Sequence, residues 1–155
     1  MKAYISVLAV IFIAATIFSE IATSCPCQEE DAASDKNLAI AQCSEQHKIS
    51  NEAFERIANH EDVPNDHEVK CWLSCIMKKL GMMKEGQIDW EHSKTLMKQD
   101  LASEKDKAKV DKIAEICLAQ VSEEKIDECQ LAYSVAVCKI NNWNKLGLPK
   151  RKVEQ

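Results

Sequence analysis

Apolar residues recur along this chain at helical rather than strand spacing. From Asn65 to Leu80, the residues Val69, Trp72, Leu73, Ile76, Met77 and Leu80 form one stripe at i, i+3, i+4, i+7 intervals. Asn65 with Glu68 three residues on resembles a capping box, in which side chains satisfy the free amides of a helix start. Gly81 sits where the helix should stop, because glycine accepts a left-handed cap. A second helix is predicted over Ser103–Gln120, with a stripe of Val110, Ile113, Ala114, Cys117, Leu118 and Val121. A third starts near Ser122, where Glu123 and Glu124 suit the helix dipole. It runs through Ile126, Cys129, Tyr133, Ala136, Val137 and Ile140. After Leu131 it is apolar nearly all round, which places it in the middle of the fold. Weaker helical patterns cover Asp35–Lys48, Asn51–Asn59 and Asp89–Leu101. Glu61–Asn65, with Pro64, and Lys84–Ile88, with Gly86, read as loops. The expectation is an all-α fold of about six helices with short connections and no sheet.

The start of the chain has a different character. Met1-Lys2 is basic, Tyr4 to Phe18 is almost wholly apolar, and Ala22-Thr23-Ser24 supplies a small-residue exit. That order is a secretory signal peptide, with cleavage after Ser24 fitting best and after Ala22 second. The apolar run is shorter than the roughly 20 residues of a membrane span. About 130 residues then remain, enough to bury roughly two-thirds of the unfolded surface as one domain. Removing Lys2 and Glu20 leaves the formal net charge at −5. A mildly acidic secreted chain is a poor candidate for nucleic acid.

Secretion also decides how the cysteines are read. The eight that follow the signal are Cys25, Cys27, Cys43, Cys71, Cys75, Cys117, Cys129 and Cys138, and an oxidising compartment pairs thiols. From Cys43 onward the gaps are 27, 3, 41, 11 and 8 residues. Cys71 and Cys75 lie i, i+4 on one helix, share a face, and can staple that helix to its neighbours. Cys129 and Cys138 sit farther apart on the last helix and reach different partners. Spacing alone does not choose among the pairings. His67, Cys71 and Cys75 line one face and could mimic a zinc site, but secretion favours disulfides.

The cysteine spacing, with the segment Cys71-Trp-Leu-Ser-Cys75-Ile-Met-Lys-Lys-Leu80-Gly-Met-Met-Lys-Glu-Gly86, resembles the insect odorant-binding proteins of the pheromone-binding and general odorant-binding group. The resemblance covers roughly Asp35 to Asn142. It implies the pairs Cys43–Cys75, Cys71–Cys129 and Cys117–Cys138, and a helical shell around a closed apolar cavity. It implies a secreted, extracellular carrier of small hydrophobic ligands, with a membrane odorant receptor as a further partner and no cofactor or metal. The expected organisation is a signal peptide over 1–24, a segment with two extra cysteines over 25–34, a ligand-binding domain over 35–142 and a tail over 143–155. Secreted phospholipases need a Cys-Cys-x-x-His-Asp run, which this sequence lacks, and saposin-like domains place their cysteines differently.

A carrier needs an apolar cavity and a few orienting polar groups. Met77, Leu80 and Met82 match the pocket-lining end of the family's third helix, and methionine adapts to varied ligand shapes. Leu96, Met97, Ile113 and Val135 are added from helix faces. Trp143 and Leu148, after a helix end expected near Asn142, are candidates for a lid over the cavity. For any one of these residues, filling the core is the competing role. No nucleophile elbow, phosphate loop or HExxH motif is present, so no catalytic residue is assigned. His47, His60, His67 and His92 read as surface histidines, with His67 and His92 preferred if protonation loosens a lid. The alternative to a carrier is a secreted interaction protein of venom, saliva or reproductive fluid on the same scaffold.

Cys25 and Cys27 fall outside the six-cysteine pattern. A bond across the intervening Pro26 would be strained, which favours a bridge between two copies of the chain. Disulfide-linked homodimers through Cys25 or Cys27 are therefore expected on non-reducing gels. Monomer alone, or a mature N-terminus beyond Cys27, would contradict that expectation.

Overall fold

The computed structural model describes residues 28–121 and 126–150. The signal segment, Cys25 and Cys27, and the end of the tail lie outside the described residues. The chain divides into two units, Met1–Ala32 and Ala33–Gln155; the described part of the first is the opening of helix α1. Among the described residues six helices follow one another: α1 (Gln28–Gln46), α2 (Asn51–Ala58), α3 (His67–Lys79), α4 (Trp90–Gln99), α5 (Glu104–Gln120) and α6 (Glu128–Lys145). Between α3 and α4 lies a small antiparallel hairpin of β1 (Met83–Lys84) and β2 (Gln87–Ile88).

Four differences from the sequence reading have physical causes. The α3 cap is Asp66, not Asn65: its carboxylate accepts from the amides of Glu68 and Val69. Helix α6 starts at Glu128, capped by Asp127, whose side chain accepts from the Gln130 amide at 2.9 Å. The proposed start at Ser122, with Glu123 and Glu124, falls outside the described residues. The expected absence of sheet is corrected by the hairpin, which pairs Met83 with Ile88 and Lys84 with Gln87. Its two turn residues, Glu85 (φ 51°) and Gly86 (φ 74°), both have positive φ, as a tight two-residue hairpin requires. Two-residue strands leave no alternation to read. Finally, α6 continues to Lys145, so Trp143 is a helical residue rather than part of a tail.

Three helices end in the same way. After α3, Gly81 (φ 70°) turns left-handed, its amide bonds to the Lys78 carbonyl, and the Met82 amide reaches the Met77 carbonyl at 2.7 Å. After α6, Gly147 (φ 64°) bonds back to Asn144, and Leu148 bonds back to Trp143. After α2 the left-handed position is taken by His60 (φ 54°), with Glu61 bonded back to Arg56. These are Schellman caps, in which the residue after the left-handed one packs on the helix it has just left. Trp143 and Leu148 are accordingly in one buried cluster, and the Trp143 Nε1–H donates to the Pro149 carbonyl at 3.0 Å.

Helix α3 packs along α6, and α5 packs between α4 and α6. One core gathers Val69, Trp72, Leu73 and Met77 of α3 with Leu131, Ala132, Val135 and Ile140 of α6. A second joins Val110, Ile113 and Cys117 of α5 to Cys138, Trp143 and Leu148. Helix α6 serves both, which explains why its sequence is apolar nearly all round. In the α5 stripe only Leu118 departs from the expected face, at 58% exposed. The disulfides are Cys43–Cys75 (α1 to α3), Cys71–Cys129 (α3 to α6) and Cys117–Cys138 (α5 to α6), the pairing that the resemblance implies.

Each bond restricts the unfolded chain and should contribute about 2–4 kcal/mol. Replacing Cys71 and Cys129 together by alanine should lower the unfolding free energy by that amount in chemical denaturation. Peptide mapping of the non-reduced protein should recover the three links. A Cys71–Cys75 link, or free thiols among the six, would contradict the fold.

Candidate functional site: two adjacent apolar cavities

The α3 stripe divides by depth. Val69, Trp72, Leu73 and Met77 are buried, whereas Ile76 and Leu80 are half-buried. The half-buried pair and the Trp72 ring turn to a cavity of about 400 Å³. Helix α1 contributes Lys36, Asn37 and Ile40 to its wall, α2 contributes Phe54, Ile57 and Ala58, and α4 contributes Leu96 and Met97. Met82, placed by the cap after α3, completes it. The aromatic corner is fixed on two sides: Phe54 meets Trp72 edge to face at 6.0 Å, and Trp72 Nε1–H donates to Ser44 Oγ at 3.0 Å. Lys36 is held by Asp100 at 2.9 Å.

A second cavity, of about 240 Å³, shares Ile57, Met82 and Met97 with the first. Its other walls are His60, Met77, Ala136, Lys139, Ile140 and Trp143. The His60 ring lies 4.7 Å from that of Trp143, and its carbonyl accepts from Asn144 Nδ2 at 2.8 Å. These contacts account for a histidine in a left-handed position that glycine usually fills.

Of the residues chosen from sequence, Leu80, Met82, Leu96 and Met97 line the larger cavity, and Met77, Met82, Met97 and Trp143 line the smaller. Ile113, Val135 and Leu148 line neither. Ile113 and Val135 are fully buried (0% exposed) in the two cores. Leu148 packs in the second core and lines neither of these two cavities. His92 bonds to the Leu80 carbonyl at 2.9 Å on the surface, and His67 lies beside Cys71. Cys71 and Cys75 are both in disulfides, so the His67 face has no thiolate to offer a metal.

Sequence reasoning missed the α1 and α2 walls, His60, and above all Lys139. Lys139 interrupts the apolar run from Leu131 to Ile140, and that lone charge was the available signal. Its ammonium donates to Ser93 Oγ at 2.5 Å and lies 6.0 Å over the Trp90 ring. Lys139 is half-buried and is one of the walls of the smaller cavity. Burial pushes its pKa down to about 8. A serine beside such a lysine has the composition of a nucleophilic pair, but Ser93 is 1% exposed and lines neither cavity. It fixes the lysine instead. The Trp90 Nε1–H is buried with no hydrogen-bond partner among the described residues.

A lysine whose pKa falls on folding destabilises the fold while it is charged. Between pH 8 and the unfolded value near 10.5 the unfolded chain holds more protons, so stability should rise with pH across that window. Lys139→Met should raise stability at pH 7 by about 1–3 kcal/mol and flatten the rise. Chemical denaturation at pH 7 and pH 9.5 checks both; an unchanged pH dependence would contradict the burial.

The comparisons with known proteins agree with the fold. The PBP/GOBP family model matches residues 27–142. General odorant-binding protein 19d of Drosophila melanogaster is 32% identical over 109 residues, covering 69% of this chain and 71% of that protein. The structure of odorant-binding protein dmelOBP28a from Drosophila melanogaster superposes with a TM-score of 0.63 at 20% identity, over 78% of this chain and 99% of that one. Apis mellifera odorant binding protein 5 gives a TM-score of 0.58, also at 20% identity, over 76% and 90%. Six cysteines paired across α1, α3, α5 and α6, a matching family model and a relative of that identity together place the chain in the PBP/GOBP family of insect odorant-binding proteins.

Proposed function

We propose that this protein is a secreted carrier that binds small hydrophobic molecules, odorants or pheromones among them, and performs no chemistry on them. The observation that carries this reading is the 400 Å³ cavity, walled by Phe54, Trp72, Ile76, Leu80, Met82, Leu96 and Met97. A cavity of that size lies within the range of small-molecule sites, and its apolar walls favour ligands leaving water. Methionines at the junction with the second cavity adapt to ligands of differing shape. The family consists of binding proteins, and the relative named for general odorant binding directs the choice toward volatile or lipophilic ligands.

Secretion rests on the signal-peptide pattern of residues 1–24. Among the described residues no helix is long and apolar enough to cross a membrane. Delivery of the ligand to a membrane odorant receptor belongs to the same reading.

Met97 is the residue on which binding can be tested with least risk to the fold, because it is half-buried and lines both cavities. Met97→Arg should weaken binding of a fluorescent naphthylamine probe by about tenfold or more, since a buried unpaired charge is costly. Far-ultraviolet circular dichroism should stay helical. Unchanged probe affinity would remove this cavity as the binding site.

A further inference from the structure

We infer that Lys139 is the polar end of the binding site, and that the ligands it selects are elongated apolar molecules ending in a carboxylate. The inference rests on the carrier reading and specifies its ligand class. Among the residues that line the smaller cavity, Lys139 alone bears an ammonium; His60 is the other titratable group there, and the remaining walls are apolar. An ammonium has three hydrogens to donate. One goes to Ser93 Oγ, and the Trp90 ring face lies beneath the charge at 6.0 Å. Among the described residues no carboxylate stands within ion-pair distance of it.

A half-buried cation with only a neutral hydroxyl partner is the arrangement that an anionic ligand completes. A carboxylate at Lys139 takes the unused hydrogens in charge-assisted bonds and neutralises the charge. An alcohol or ester oxygen can accept one hydrogen but leaves the charge in place. The depressed lysine pKa agrees with this picture, and the side chain remains mostly protonated at neutral pH.

The shape of the site sets the rest of the molecule. The smaller cavity shares the walls Ile57, Met82 and Met97 with the larger one. On this inference an aliphatic chain, anchored at Lys139, lies along these shared walls in the direction of Leu80, Ile76 and Phe54. The cation of the larger cavity, Lys36, is already paired with Asp100, so it does not compete for the carboxylate.

The test is competition against the fluorescent probe at pH 7 with dodecanoic acid, methyl dodecanoate and dodecan-1-ol. It is run on the protein and on Lys139→Met and Lys139→Gln, with far-ultraviolet circular dichroism and probe affinity serving as the checks that the fold and a site are intact. The acid should bind the unaltered protein about tenfold more tightly than the ester, a preference of charge-assisted bonding. Both variants should lose that preference, the acid losing far more affinity than the ester. A preference for the acid that survives in the variants, or its absence in the unaltered protein, would overturn the inference. Displacement by ester and alcohol without preference for the acid leaves the carrier reading standing, whereas no displacement by any of the three removes both.

Discussion

The structure depends on one helix being held from two sides. Cys71 and Cys75 are one turn apart on α3, and their bonds lead to α6 and α1. The helix between them supplies Trp72 and Leu73 to the core and Ile76 and Leu80 to the larger cavity. With α3 fixed, α1 and α6 are each tied to it, and Cys117–Cys138 ties α5 to the same α6. A domain of this size with apolar cavities forgoes packing that would otherwise stabilise it. The crosslinks offset that loss by restricting the unfolded chain, so the walls stay in place without a core that fills the space.

Helix ends do the second part of the positioning. The left-handed residues Gly81 and His60 end α3 and α2. The first is followed by Met82, which lines both cavities; the second brings its own ring against Trp143. Gly147 closes α6 and folds Leu148 back into the core. The walls of the site are thus set by backbone geometry at helix termini as much as by helix faces.

This division explains what could be read in the sequence. The stripe of α3, the all-round apolar character of α6 and the cysteine spacing were legible because helical periodicity and crosslinks leave regular marks. Met82 and Met97 were legible as mobile apolar residues near a helix end or on a helix face. Ile113 and Val135 were misplaced because a periodic apolar face does not distinguish a core position from a cavity wall. A helix end near Asn142 does not form: the Asn142 side chain bonds to the Cys138 carbonyl within α6, which runs on to Lys145. Lys139 was passed over because a single lysine on a helix ordinarily reaches water. Only the packing of Ser93 and Trp90 around it shows that its ammonium is held inside.

The central claim is that these adjacent cavities are where ligand binds, and the methionines allow a direct test. With methyl-labelled methionine, a titration with an apolar ligand can be followed at separate positions in one NMR spectrum. Met82 and Met97 line both cavities and Met77 lines the smaller, while Met83 is 1% exposed and lines neither. The methyl signals of Met82 and Met97 should shift most, that of Met77 with them, and that of Met83 least. Saturable binding that leaves Met82 and Met97 unmoved would place the ligand elsewhere and contradict the account.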